Sequence, residues 1–221
     1  MRGANPGLML AILSLVFAFL YIPIAVLVAL SFNEGGLPTA WTGFSVKWYG
    51  VLLANGDILG AALNTLIVAV ISTLVATGLG TLLAVGVEIR RRKGRFLETI
   101  IFAPMIIPDI VLAIALLSFF SMLDVRMGLH TVIVSHVVFN LAFVCSVVRA
   151  RLKSFDWSIV EASADLGAST VTTLRRVVLP VLAPAVLAGA LLAFTLSVDE
   201  FIIAFFTAGA GRGSITLPMQ I

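Results

Sequence analysis

Charge is the scarcest commodity in this sequence. Asp, Glu, Lys and Arg together make up 11% of the 221 residues, against about 25% in soluble domains. Apolar residues reach 61%, where roughly 45–50% is usual, and the mean hydropathy is +1.16. A soluble domain of this size cannot hide that much apolar surface in one core. A soluble enzyme and a disordered chain are therefore excluded. Cysteine is nearly missing as well, and the single Cys145 excludes an internal disulfide framework. Gly is nowhere followed by Lys, so the chain lacks the G-x-x-x-x-G-K-[ST] loop that cradles nucleotide phosphates. It cannot hydrolyse ATP by that route. No catalytic set, metal-ligand set or resident cofactor is expected. The net charge of +3 and pI near 9.5 resemble a nucleic-acid signal, but the basic residues follow membrane topology instead.

Long uncharged runs are abundant. About 20 helical residues cross the hydrocarbon core. Leu8–Phe32 is the first such run; it is too long for a signal-peptide core and no cleavage site follows it. A second lies between Asp57 and Glu88, and a third over 97–123 is interrupted only by Glu98 and Asp109. Thr131–Val148 is the fourth and Val177–Val198 the fifth, with Pro180 and Pro184 near its start. Phe201–Gly211 reads as a loop or the tail of the fifth span. In the second run Gly78, Gly80, Ala84 and Gly86 predict close helix packing. In the fourth, His136 and Asn140 are four apart on one face and predict a structural polar ladder. The expected fold class is all-α, a polytopic helical bundle forming one transmembrane domain over 1–221. Five spans and an apolar end at Pro218-Met219-Gln220-Ile221 lead us to expect a further span beyond this chain.

Eleven of the 14 Lys and Arg residues fall on one side of these spans: Arg2, Arg90, Arg91, Arg92, Lys93, Arg95, Arg149, Arg151, Lys153, Arg175 and Arg176. Only Lys47, Arg126 and Arg212 fall on the other. The bias predicts a cytoplasmic amino terminus. Trp41, Trp48 and Tyr49 in the first outer loop suit a segment at the membrane interface.

The most informative polar segment is the cytoplasmic loop of about 154–180. Ser158 and Glu161 have the S-x-x-E spacing of a capping box, and Ile159, Ala162 and Leu166 then share one helix face. Gly167 suits the left-handed residue that stops a helix, and Ser169 or Thr170 can cap the next one. A bare connection needs only a few residues. This loop therefore holds a short ordered helix under the membrane. Its residues Glu161-Ala162-Ser163, Gly167, Val177 and Leu179-Pro180 match at every interval the EAA loop of permease subunits of bacterial ABC importers, which the chain resembles. Ser163 replaces the second Ala of that pattern, a small-for-small change. The resemblance implies that Glu161, Ala162, Ser163, Asp165, Gly167, Leu179 and Pro180 form a coupling helix seated in a separate ATP-hydrolysing subunit. It also implies a six-span fold, a second permease subunit, two ATP-binding subunits and an extracytoplasmic substrate-binding protein, in a bacterial inner membrane.

Three acids sit where they are expensive. An ionisable group in a span costs several kcal/mol unless it meets water, a partner or a ligand. Asp109 follows Pro108 inside the third run. It either faces the pathway near mid-membrane or caps a helix restarting after the proline. Asp199 and Glu200 end the fifth run. They are an outer-surface pair or cavity residues, and the apolar stretch after them, with Phe201, Phe205 and Phe206, favours the cavity, Asp199 first. With Phe194-Thr195-Leu196-Ser197 before the pair, and with Pro108-Asp109 and Asp165-Leu166-Gly167-Ala168-Ser169, the chain resembles the second permease of spermidine/putrescine importers. The resemblance implies a small cationic substrate bound by Asp109, Asp199 and Glu200. Carboxylates in a wet cavity suit ammonium groups. Other readings are an importer of ferric iron or an organic cation and, in another class, a proton-coupled secondary carrier with Asp109 and Asp199 as relays.

Overall fold

The computed structural model describes residues 6–36, 40–89 and 95–221. The basic residues Arg2, Arg90, Arg91, Arg92 and Lys93 of the topology argument lie outside the described residues. The described chain contains no strand, only an isolated bridge between Asn33 and Phe44. Four helices are long and apolar enough to cross a membrane, and a bent pair makes a fifth if it counts as one span.

Two compact units, Met1–Leu59 and Gly60–Ile221, divide the chain. The first holds α1 (Pro6–Leu30) and the short α2 (Lys47–Ala54). No residue of α1 or α2 is buried, so this unit has no core of its own to explain their apolarity. The connection between them is tied by one residue. The buried Asn33 side chain donates to the Ala40 carbonyl at 2.8 Å and accepts from the Thr42 amide at 2.8 Å. The Trp48 indole donates to the Asn33 carbonyl, and the Ser31 and Tyr49 hydroxyls pair at 2.7 Å. Trp48 and Tyr49 are thereby built into the start of α2.

The second unit contains most of α3 (Gly56–Ile89), then α4 (Arg95–Ile106), α5 (Asp109–Met122), α6 (Leu129–Leu152), α7 (Ser158–Asp165) and α8 (Thr170–Thr173). A π turn over Leu174–Val178 leads into α9 (Leu179–Asp199), followed by α10 (Ile202–Thr207) and α11 (Leu217–Gln220). The largest core lies around α6 and α9, where Val144, Val148 and Leu152 meet Val178, Leu182 and Ala193. A second cluster joins α5, α6 and α10 through Ala113, Phe139 and Ile203.

The third run is not a straight span. It breaks between Ile106 and Asp109, and the two halves are bent by 115°. Pro108 supplies no backbone donor and disfavours helical geometry in the residue before it. The expectation that Asp109 lies near mid-membrane assumes a straight helix through the run, and the axis turns before reaching it. The fifth run is also broken. Glu200 leaves the helix with ψ 111°, and within Phe201–Gly211 the residues Ile202–Thr207 form a separate helix, α10, packed on α5 and α6, while 208–211 are a loop as expected. The π turn has a visible cause. The Leu179 amide bonds the Leu174 carbonyl, five residues back, just before Pro180, whose ring crowds the carbonyl of a normal turn.

Small residues do less than their number implies. A Cβ on Gly80 would lie 2.9 Å from the Val144 Cβ and 3.1 Å from the Leu141 carbonyl oxygen, and Ala84 is fully buried. Gly78 and Gly86 have nothing within 4 Å, so the expectation of close packing fails there; both lie off the buried face. Charge also organises the bundle. Arg149 of α6 pairs with the buried Glu88 of α3 at 3.5 Å and with Glu98 of α4, and its guanidinium lies over the Phe102 ring at 5.9 Å. Residues that mark topology in the sequence here clamp three helices.

These contacts separate the glycines. Gly80→Ala forces the α3–α6 contact apart and should cost about 1–3 kcal/mol. Gly78→Ala and Gly86→Ala meet open space and should stabilise by up to about 1 kcal/mol. Thermal unfolding of the purified membrane protein distinguishes the two outcomes.

Candidate functional site

Two regions gather the residues singled out above: the α7 loop and the helix breaks that carry the acids.

In the α7 loop, Gly167 has φ +79°. The Gly167 amide bonds the Ala164 carbonyl at 2.8 Å and the Ala168 amide bonds the Ser163 carbonyl at 3.1 Å. This pair of bonds is the Schellman stop, which places Gly at the left-handed position. Ser169 then caps α8, its hydroxyl accepting from the Thr172 amide at 3.3 Å. The other end differs from expectation. Ser158 is already helical, and no side chain caps the helix from the Trp157 position. The Asp156 carboxylate instead accepts from the Ser158 amide at 3.0 Å, so the capping box of Ser158 and Glu161 does not form. An Asx turn two residues upstream does its work. These bonds from Ser158 hold the Asp156 carboxyl below the usual carboxylate range. A group depressed in this way contributes above its ordinary pKa and loses that contribution only in acid, so the cap is intact at neutral pH. The signal missed was Asp-x-Ser before the helix.

Freed from capping, Glu161 points outward. Glu161, Ala162 and Asp165 are exposed and Ser163 is half-buried. Ile159, Ala162 and Leu166 share an outward face, and Leu166 is 89% exposed. On the inner side Val160 and Trp157 pack on the α6–α9 core, and the Ser163 hydroxyl bonds that of Thr173 at 2.9 Å. Ser163, the departure from the EAA pattern, is thus the residue that ties α7 to the base of the helix above it. Leu179 and Pro180 begin α9; they shape the π turn and lie away from the exposed face.

The acids come together through two broken helices. Asp109 starts α5, and Pro108 before it provides no side-chain cap. Its carboxylate lies in the first turn, where a helix N-terminus favours negative charge. Asp199 ends α9. The Glu200 carboxylate accepts from the Ile203 amide at 2.7 Å and so starts α10. Packing of α10 on α5 brings Glu200, with its chain neighbour Asp199, within electrostatic range of Asp109 at the start of α5. Asp199 is exposed, whereas Asp109 and Glu200 are half-buried. Of the three, Asp199 is open to a ligand and Glu200 is occupied by its own backbone. Two residues before Asp199, the buried Ser197 hydroxyl pairs with His136 Nδ1 at 2.7 Å and with the Ser72 hydroxyl at 3.1 Å. The ladder expected of His136 and Asn140 forms at His136, where it reaches α9 and α3, but Asn140 has no hydrogen-bond partner among the described residues. No group of three or more His, Cys, Asp or Glu placed to hold a metal occurs among the described residues.

The geometry of Gly167 sets a test. A Cβ there meets nothing within 4 Å, so any penalty is one of backbone conformation alone. Gly167→Val should distort α7 by about 1 kcal/mol or more, whereas Gly167→Asn, which tolerates the left-handed region, should be nearly neutral. Hydrogen exchange over residues 158–168 reads the difference; equal exchange in both variants would remove the argument.

Comparison with known proteins establishes the family and the fold. The family model described as binding-protein-dependent transport system inner membrane component matches residues 76–220. The spermidine/putrescine transport system permease protein PotC of Escherichia coli K12 is 42% identical over 207 residues, covering 93% of this chain and 78% of that protein. The PotC protein of Haemophilus influenzae is 38% identical over 212 residues, covering 96% of this chain and 82% of its own. The putrescine transport system permease protein PotI of Escherichia coli K12 is 39% identical over 223 residues, covering 96% and 78%. Among solved structures, a bacterial ABC transporter involved in import of the acidic polysaccharide alginate matches with a TM-score of 0.74 at 19% identity, over 97% of this chain and 77% of that one; this likeness concerns the fold. A match over residues 76–220 and relatives near 40% identity along almost the whole chain lead to one conclusion: the chain belongs to the binding-protein-dependent transport system inner membrane components, as a multi-pass permease subunit.

Proposed function

We propose that this permease subunit carries a polyamine, of the spermidine or putrescine kind, inward across the bacterial inner membrane, using ATP hydrolysed by separate subunits. The observation that carries the substrate reading is the convergence of Asp109, Asp199 and Glu200 where two broken helices meet, with Asp199 exposed. A polyamine presents ammonium groups separated by methylenes, and carboxylates beside apolar helix surface complement both parts. The names of the relatives support the same substrate class.

The coupling reading rests on α7. Its outward face of Ile159, Ala162 and Leu166, with Glu161 and Asp165 beside it, suits a groove on an ATP-binding subunit. A second permease and an extracytoplasmic binding protein complete the assembly. The distribution of Lys and Arg supports a cytoplasmic amino terminus and a cytoplasmic α7. When the ATP-binding subunits close, they move α7, and the cavity changes from outward-facing to inward-facing. A proton-coupled carrier using the same acids has no use for an exposed, rigidly capped helix in this loop. ATP dependence of uptake in the presence of an uncoupler separates the two.

Asp199→Asn keeps size and hydrogen-bonding capacity and deletes only the charge. Coulomb attraction at about 4 Å is about 4 kcal/mol at an effective dielectric near 20. A quarter of that, after screening, alters occupancy about fivefold. Uptake of radiolabelled polyamine by the reconstituted complex should fall by about that factor, with ATPase activity unchanged in the absence of substrate. Asp109→Asn should follow, and Glu200→Gln, which retains an acceptor for the Ile203 amide, should be weakest. Undiminished uptake in Asp199→Asn would overturn the cavity reading.

A further inference from the structure

The buried ladder of His136 contains more chemistry than helix packing requires. The Ser72 hydroxyl donates to the Ala69 carbonyl at 3.4 Å. The Ser72 and Ser197 hydroxyls pair across 3.1 Å, and Ser197 pairs with His136 Nδ1 across 2.7 Å. Nδ1 is thereby occupied, which leaves Nε2, as lone pair or N–H according to the tautomer, to find another partner. His136 is 1% exposed, and Nε2 has no hydrogen-bond partner among the described residues. Asn140 is fully buried, and neither its Nδ2 nor its Oδ1 has a partner there. Three unmet polar atoms at adjacent turns of one helix are costly in an apolar bundle.

The helix register shows what fits between them. On α3, Ser72 is level with His136 through Ser197, and Gly80 touches Val144, so α3 and α6 run parallel and Ala76 is level with Asn140. On α9, Ser197 is level with His136 and Gly189 lies against Val144, so α9 runs antiparallel and Ala193 is level with Asn140. Both alanines are fully buried. The two helices facing Asn140 thus present their smallest side chains at its level. His136 and Asn140 are one turn apart on one face of α6, with Cβ atoms about 5–6 Å from each other, and a buried water characteristically joins two to four such otherwise unmet polar groups.

We propose that an ordered water bridges His136 Nε2 and the Asn140 amide at the junction of α3, α6 and α9. The water donates to Nε2 where Nδ1 carries the proton and accepts from it where Nε2 does, and in either case it reaches Asn140 Nδ2 as acceptor or Oδ1 as donor. The three helices are thereby locked two residues before Asp199, where α9 ends. This water belongs to the resting structure and does not depend on which substrate the acids take.

Radiolytic footprinting of the assembled transporter in nanodiscs tests the assignment without any substitution. Hydroxyl radicals formed from a bound water oxidise the side chains beside it even when bulk solvent is excluded. His136 should be oxidised several-fold faster than Phe139, which is buried on the same helix and comparably reactive. In Asn140→Leu the His136 rate should drop to that of Phe139. The thermal midpoint supplies a sign. A bridged Asn140 makes Asn140→Leu strand Nε2 and lowers the midpoint, whereas a dry, unpaired amide makes the same substitution raise it. Equal oxidation of His136 and Phe139 in the wild-type protein, or a raised midpoint in Asn140→Leu, overturns the proposal.

Discussion

Backbone amides and carbonyls released inside an apolar segment must find other partners, and that requirement governs this molecule. Unmet groups cost several kcal/mol each in hydrocarbon. Irregular backbone therefore survives at such depth only where protein or water meets it. The chain contains two such breaks, before Asp109 and after Asp199, and each has an acidic residue beside it. Glu200 spends its carboxylate on the Ile203 amide, one of the donors exposed by the start of α10. The packing of α10 on α5, through Ile203 and Ala113, then brings the second break to the first. Acids at helix breaks and acids at a site are here one arrangement.

Charge inside the bundle follows the same logic. Glu88 is 4% exposed, and a carboxylate so buried needs a partner. Arg149 pairs with it while also pairing with Glu98 and covering Phe102. One guanidinium holds α3, α4 and α6 together, and a fork of five donors suits a group shared between two carboxylates. Val148 and Leu152 on the same helix enter the core that also receives Trp157 and Val160 from the α7 loop. The ion cluster and the α7 loop are built on one surface.

What the sequence made legible was whatever depends on local rules. Uncharged runs gave the long helices, because hydrocarbon thickness sets their length. Gly167 was legible because a left-handed residue has few alternatives to glycine, and Ser169 because a hydroxyl before a helix has a specific donor to accept. The 115° bend was not legible. Proline marks a break, but its angle is set by how α4 lies against α6 and α5 against α10. The helical character of Ile202–Thr207 was hidden for a similar reason: six residues are too few for periodicity, and α10 exists because tertiary packing supports it. Asp156 took the cap from Ser158 because both spacings were available and only three-dimensional geometry chooses between them. Gly78 and Gly86 read like Gly80, yet only Gly80 faces another helix.

The helix from Thr170 to Asp199 joins the two functional regions. Its 30 residues span about 45 Å at 1.5 Å per residue. One end is hydrogen-bonded to α7 through Thr173 and Ser163, and the other carries Asp199. Its irregular backbone is confined to its ends, in the π turn at Leu174–Val178 and the break at Glu200, whereas the segment between them is packed on α6 through Leu182, Gly189 and Ala193. A packed rod transmits a displacement by tilting or sliding as a body, because a close-packed interface resists gradual deformation. In the proposed cycle, movement of α7 would reach the acids without being absorbed on the way. The clamp of Ser72, Ser197 and His136 sits at the far end of that rod. It is the contact such a movement must break or carry with it, and a contact made of two directional hydrogen bonds through one hydroxyl has few intermediate positions. Discrete alternation between two states follows more naturally from that geometry than a continuous range of openings.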